Sequence, residues 1–249
     1  MIRGITKVRN EAHIIQSTLD VWARYCDGIH VYDDCSTDGT AEICKAHPAV
    51  VEVIESDHVD PNRERAEWYN RHTVFHSAHR FLKEGDWICY FDADEHLEVI
   101  DQNLFKVPNI NLIAVQLFDA YITAKDVDEH WSARRYVAPE FQPMPYFYKY
   151  PFNGADFCYP DQRILYHGNG VLAGKARHWG KAISVPHWER KCEYYSKWPK
   201  YADKWEARHG KAVHDESDFG NPLVLWEDIL NGSVEPMTTF IDQQGEASA

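Results

Sequence analysis

Apolar and polar positions follow two alternating rhythms along the first hundred residues. Residues 2–8, 28–33, 50–54 and 87–91 are short runs rich in apolar and β-branched side chains, each bounded by turn formers, and predict four strands. Between them apolar residues recur at helical spacing. Asn10 is placed to cap a first helix on which Ile14, Ile15, Leu19, Trp22 and Cys26 share a face. A short second helix ends before Pro48, and a long third one spans residues 63–83, closed by Gly85. The run 87–91 is apolar throughout, as expected for a strand covered on both faces.

Strands alternating with helices predict an α/β fold with a Rossmann-type, mostly parallel sheet flanked by helices. After Asp94 the rhythm changes. Residues 112–118 predict another strand, residues 138–160 a loop-rich stretch dense in proline and aromatics, and residues 163–167 and 182–185 later strands. From Arg190 onward the pattern is helical, with a mobile polar tail after Thr239. The expected organisation is a single domain over residues 1–249. It divides into a nucleotide half, 1–95, and an acceptor half, 96–249, with C-terminal helices.

Composition narrows the partners. Hydrophobic residues make up 44% of 249, which supports a sizeable core. The formal net charge of -13 opposes binding to nucleic acid or anionic lipid. An anionic ligand would need local help from a metal, a helix N-terminus or placed arginines. The six cysteines form no CxxC pair, which reads as reduced thiols. No run approaches the roughly 20 apolar residues of a membrane span, and the N-terminus carries no signal-peptide core. The expectation is a soluble, cytoplasmic protein with no transmembrane segment.

The chemistry concentrates where the fourth strand ends, in Phe91-Asp92-Ala93-Asp94-Glu95. Ligands of open α/β sheets bind beyond the carboxyl ends of strands. On an extended segment Asp92 and Asp94 would point the same way. Two converging carboxylates repel unless a cation lies between them, and Mn²⁺ or Mg²⁺ suits such oxygen ligands and can bridge a diphosphate. A solvated acidic turn is the plainer alternative.

Two further segments sit at strand ends: Val8-Arg9-Asn10-Glu11, and Asp33-Asp34-Cys35-Ser36-Thr37-Asp38-Gly39-Thr40. In motif, order and spacing, the three segments together resemble family 2 glycosyltransferases of the GT-A fold. The resemblance covers about the first hundred residues, and Cys35 stands where glycine is more usual. It implies that Val8, Arg9, Asn10, Glu11, Asp33 and Asp34 line the base and ribose pocket, with Asp34 accepting from a uracil N–H. Asp92 and Ala93 would border the nucleotide, Asp92 facing ribose or metal, and Asp94 would bind the metal. It also implies a cation on the long helix reaching toward the base or diphosphate, Arg65 ahead of Arg71, and a third metal ligand, His187. Asp38 reads better as turn and cap chemistry. His72, His76 and His79 read as a polar helix face. Tyr194, Trp198, Tyr201 and Trp205 read as aromatics packing one helix onto the domain.

The implied reaction is an inverting, hexosyltransferase-type transfer from a nucleotide diphosphate donor, a UDP-sugar, to a hydroxyl of a glycan or other acceptor. A carboxylate would take the acceptor proton. Asp156, on a loop with Gly154 and aromatics, stands ahead of Asp161 and Asp119 as that base. A nucleotidyltransferase would use a similar sheet and metal site, but its glycine-rich phosphate loop is missing after the first strand. A glycan-binding relative without catalysis is the non-enzymatic alternative, and the intact Asp92 and Asp94 speak against it.

Overall fold

The computed structural model describes residues 1–151 and 169–239. Among the described residues sixteen strands and α-helices follow in chain order. The first seven are β1 (Ile2–Val8), α1 (Ile15–Trp22), β2 (Gly28–Asp33), α2 (Thr40–Ala46), β3 (Val50–Glu55), α3 (Arg63–His79) and β4 (Trp87–Tyr90). Then come β5 (Glu95–Val99), β6 (Leu112–Ala120), β7 (Tyr136–Lys149) and β8 (Gly170–His178). The last five are α4 (Val185–Tyr195), α5 (Ala202–Glu206), β9 (Val224–Leu225), α6 (Trp226–Asn231) and β10 (Met237–Thr238). The fold is mixed α/β, with a mostly parallel sheet flanked by helices, as the alternating pattern predicts.

The chain divides into two compact units interleaved in sequence, Met1–Gln116 with Met144–Ala176, and Leu117–Pro143 with Arg177–Ala249. The sequence reading expected one domain with a division near residue 95. In the first unit the strand order is β3-β2-β1-β4-β7-β6-β8-β5. Strands β1 to β4 are parallel, with Val8 opposite Asp33 and Ile5 opposite Tyr90, and β4 meets β7 antiparallel.

Alternation along the strands sends side chains to two faces, and both are covered. On one, Ile5, Tyr32, Ile88, Tyr90 and Tyr148 pack with Val74, Phe75 and Ala78 of α3. On the other, Trp22 of α1 stacks on Phe91 at 4.3 Å and on Tyr146 at 5.4 Å. Gly4 lies there too; a β-carbon on it would stand 3.0 Å from Cys26 Sγ and 3.2 Å from Phe91, so the close packing of α1's end needs glycine. The five described cysteines are free thiols, with the Cys26 and Cys89 sulfurs 3.4 Å apart.

The second unit is cored by Phe118, which packs against Phe141 and Trp226, and by Trp131 against Trp179. Arg134, 3% exposed, donates to the carbonyls of Asp126, Val127, Glu129 and Ala182, so its charge is buried among four acceptors. Strands β9 and β10 pair with the first half of β7. Among the described residues no helix is long and apolar enough to cross a membrane.

Several expectations need correction. Residues 138–149 are not loop but belong to the 14-residue strand β7. Residues 182–185 are not a strand: Ser184 accepts from the His187 amide and caps α4, whose first turn holds Pro186. Asn10 does not cap α1, which begins at Ile15. The long helix ends at His79 rather than residue 83. The described residues after Arg190 hold the end of α4, two further short helices, two two-residue strands and turns rather than continuous helix. The strand expected at 163–167 and the tail after Thr239 lie outside the described residues.

Trp22 ties α1 to the sheet by stacking and by its indole N–H on the Glu95 carbonyl, 2.9 Å. Trp22→Ala is expected to lower stability by about 3–5 kcal/mol in urea denaturation. Trp22→Phe, which keeps an aromatic ring, should cost less. A loss below about 1 kcal/mol for Trp22→Ala would contradict this packing account.

Candidate functional site

The three sequence segments follow the carboxyl ends of adjacent parallel strands in the order β2-β1-β4. Neighbouring strands are about 4.8 Å apart, so the outer two ends lie about 10 Å from each other. This brings Arg9, Asn10, Asp34 and Asp92 to one end of the first unit.

The first two segments are latched together. Asn10 adopts φ 55°, a left-handed conformation asparagine tolerates better than most residues, and Cys35 adopts φ 59°. The Asn10 amide donates to Ser36 Oγ at 2.9 Å, and its side-chain carbonyl accepts from the Thr37 amide at 2.8 Å. The Glu11 amide donates to Thr40 Oγ1, and Asp38 accepts from the amides of Ala12 and Thr40 and from the Thr40 hydroxyl. Burial alone would raise the Asp38 pKa, but these hydrogen bonds, Thr40's first, outweigh it and hold the carboxyl below its usual value. Asp38 is thus a structural residue, as the sequence suggested. Asp33, 3% exposed, turns beneath the loop and accepts from the Ser36 amide at 3.0 Å. Asp34, 7% exposed, faces Arg9 across 3.7 Å. Val8 is buried, and its carbonyl takes the Asp34 amide.

The segment around Asp94 is a tight turn rather than an extended run. The Glu95 amide donates to the Asp92 carbonyl at 3.2 Å, and the Glu95 carboxylate returns to the Asp92 amide at 3.0 Å. Glu95 is 2% exposed and also accepts from Tyr146 at 2.8 Å, so it is a support and not a third ligand-facing acid. Ala93 is buried and its carbonyl accepts from Thr18 of α1. Thr18 has spent its proton there, so its contact with His96 Nε2 at 3.1 Å has the imidazole donating. Strand alternation therefore does not orient Asp92 and Asp94; the turn does, braced from α1, β4 and β7.

Behind Asp92 lies a charge relay of side chains. Tyr90 donates its hydroxyl proton to Asp92 Oδ1 at 2.9 Å. Arg71, 8% exposed, reaches Tyr90 Oη at 3.4 Å and lies over that ring at 5.4 Å. Arg71 also pairs with Glu67 at 3.2 Å, and Glu67 with Lys7 of β1. Burial by itself would lower the Arg71 pKa; Tyr90, Asp92 and Glu67 reverse this and keep it firmly protonated. Of the two arginines, Arg71 is the buried one linked to Asp92 through Tyr90. Arg65 is exposed and spends its guanidinium on Asp60, at 2.5 and 2.8 Å. Sequence reasoning missed Tyr90, Glu67 and Tyr146, and took Glu95 as one more strand-end acid rather than a support. A usable signal was the phase of α3, which puts Arg71 in register with Val74, Phe75 and Ala78 on the buried side.

The remaining candidates belong to the second unit or fall outside the described residues. Asp119 pairs with His178 and Lys181, each at 2.6 Å. Burial would raise its pKa, but Lys181 foremost and then His178 hold it far below the usual carboxylate range, which weakens it as a base. His187 sits in the first turn of α4. Asp156 and Asp161 lie outside the described residues. Among the described residues no three His, Cys, Asp or Glu side chains gather as a metal cluster. His72, His76 and Trp68 form a ring ladder along α3. Tyr195 stacks on Trp205 at 4.8 Å, packing α4 on α5, two helices where the sequence suggested one.

No known family's sequence profile matches the chain. Two uncharacterised proteins, from Mycobacterium bovis and Mycobacterium tuberculosis, are each 33% identical over 97 residues, 37% of this chain and 23% of theirs. The chain therefore matches under a quarter of the length of these relatives. Among solved structures it overlaps a mannosyl-3-phosphoglycerate synthase from Rubrobacter xylanophilus at 21% identity. That overlap covers 51% of this chain and 42% of that one, with a TM-score of 0.30. It also overlaps a glycosyltransferase involved in glycosylation of the major capsid of PBCV-1 at 13% identity, covering 69% and 80%, with a TM-score of 0.32. Overlaps this slight leave the function to be read from the chain's own residues.

The latch generates a pH prediction. Asp38's folded pKa lies below its ordinary 3.8, so its stabilisation is complete above that value and is lost as pH falls through the folded pKa. Asp38→Asn should cost about 1 kcal/mol at neutral pH by thermal or urea denaturation. The gap between mutant and parent should close in strongly acidic solution. A gap that widens on acidification would rule out this role.

Proposed function

We propose that this chain is a metal-dependent, inverting glycosyltransferase of the hexosyltransferase type. It takes a sugar from a nucleotide diphosphate donor, a UDP-sugar, and delivers it to a hydroxyl of a glycan or other acceptor. The observation that carries this reading is the braced Asp92-Ala93-Asp94 turn. It lies at the carboxyl end of β4, beside the Arg9–Asp34 pair on the neighbouring strand ends.

The residues present fit a divalent cation. Mg²⁺ and Mn²⁺ in nucleotide sites commonly take one or two protein carboxylates and complete their shell with phosphate and water. Asp94 and Asp92 supply such a pair, while Tyr90 and Glu95 fix the Asp92 side chain and amide. A bound cation would offset charge developing on the departing diphosphate.

Asp34 accepts from the uracil N–H in this reading, with Arg9 facing its carboxylate across 3.7 Å. Val8, Asn10 and Glu11 provide the backbone rim of the base and ribose pocket. Arg71 acts through Tyr90 on Asp92 and is a positioning residue. Asp156 takes the proton of the acceptor hydroxyl as the bond to the anomeric carbon forms. It stands ahead of Asp119, whose charge is already held by Lys181 and His178.

Asp94→Ala is expected to abolish sugar transfer and Mn²⁺-dependent UDP binding in calorimetry, with the melting temperature unchanged or raised. Removing one of two neighbouring carboxylates relieves repulsion in the metal-free protein. A mutant that melts early yet binds UDP–Mn²⁺ normally would sink the proposal.

The two base candidates should separate in a second pair of variants. Asp156→Asn is expected to spare UDP binding and stability while lowering turnover. Asp119→Asn is expected to cost about 1–2 kcal/mol of stability, because Lys181 and His178 lose their shared partner. Full transfer by Asp156→Asn would remove it as the base.

A further inference from the structure

A second site lies at the other end of the parallel strands. Arg3, His30, Val51, Glu52, Arg80 and Phe81 line a cavity of about 380 Å³ on the face covered by α3. Arg3 is five residues upstream of Val8, so strand rise alone sets the cavity about 16 Å from the loops at the carboxyl ends.

Arg3 is held in place without being neutralised. It faces Gly28 across β1 and β2, and a β-carbon at Gly28 would fall 2.1 Å from Arg3 Nη1. Glycine at that position makes room for the guanidinium, which lies over the Phe81 ring at 5.3 Å. No described residue accepts a hydrogen bond from this guanidinium or pairs with it, and its Nε is buried. In a chain of net charge -13 carrying 39 acidic residues, such an arginine is conspicuous.

His30 carries a second unpartnered polar atom. It is wholly buried, with Nδ1 2.7 Å from Ser77 Oγ and 3.3 Å from Glu52. Its Nε2 has no partner among the described residues. Buried polar atoms ordinarily have one. Glu52 is already neutralised by Arg80 at 2.6 Å. The cluster therefore keeps one uncompensated positive charge, with a second guanidinium, Arg80, 5.0 Å from the same Phe81 ring.

We propose that this cavity binds a small phosphomonoester, its phosphate on Arg3 beside His30 and its carbon skeleton against Phe81 and Val51. Guanidinium is the side chain best matched to phosphate oxygens. The cavity falls in the range of about 300–1,000 Å³ that holds organic ligands and exceeds what a bare anion needs. Protonation of His30 beside the bound phosphate would make Nε2–H a donor to it, with Nδ1–H donating to Glu52.

The test titrates glycerol 3-phosphate and inorganic phosphate into the full chain by calorimetry and NMR, in EDTA so that metal-dependent nucleotide binding is silent. Glycerol 3-phosphate is expected to bind saturably, more tightly than inorganic phosphate, and to shift the His30 imidazole resonances. Arg3→Gln should weaken it about tenfold or more. Gly28→Ala, which displaces the guanidinium while keeping the arginine, should weaken it comparably and serves if Arg3→Gln does not fold. Arg135→Gln, an exposed arginine paired with Glu227, should leave it unchanged. Unaltered affinity in both Arg3→Gln and Gly28→Ala, or unshifted His30 resonances, overturns the site. Binding of inorganic phosphate alone overturns the organic ligand.

Discussion

A buried guanidinium organises the first unit. Arg71 lies on the inner face of α3, where helices of this kind place leucine or valine, and a charge removed from water must be answered by others. Glu67 answers from the same helix and Tyr90 from β4, and Tyr90 is in turn committed to Asp92. The demand for compensation thus runs through one helix and one strand and ends on the carboxylate that opens the turn. Lys7 adds β1 through Glu67. The position of Asp92 is set by this electrostatic requirement inside the core together with the turn that carries it.

The turn itself is braced from several directions. Thr18 and Trp22 of α1 hold the Ala93 and Glu95 carbonyls, and Tyr146 of β7 holds the Glu95 carboxylate. The supports come from residues 18, 22, 90, 95 and 146, so the turn is rigid only once α1, β4 and β7 are assembled. Such preorganisation is what the proposed cation site would need to present two acids without collapsing.

Much of the first unit was legible because its signals are local. The strands at 2–8 and 28–33 and the start of α3 at Arg63 follow from composition, turn formers and caps. Strand β7 was missed because Pro139, Pro143 and Pro145 resemble a loop, since proline cannot donate to a ladder. Neighbouring strands attach at residues 136–137, 140–141 and 147–149, clear of the prolines. The start of α4 was misread because its apolar run is short, and Ser184 and Pro186 carried the better signal. At the site the acids could be read but their supports could not. Tyr90 next to Phe91 looks like ordinary core, and only the fold shows that its hydroxyl ends on Asp92. Arg65 outranked Arg71 in the sequence reading, where nothing revealed that Asp60 would claim it.

The latch between the first two loops has a bearing on how such sequences are recognised. Asn10, Ser36, Asp38 and Thr40 direct their polar atoms at one another's backbones, closing the loop after β1 onto the loop after β2. The letters that make these segments recognisable are therefore largely those of a joint. A protein with this joint and no ligand between the loops would still need it to keep two strand ends together, and its sequence would look just as familiar. Likeness in these two segments testifies to architecture. Testimony about chemistry has to come from the acids past β4 and from the buried arginine behind them.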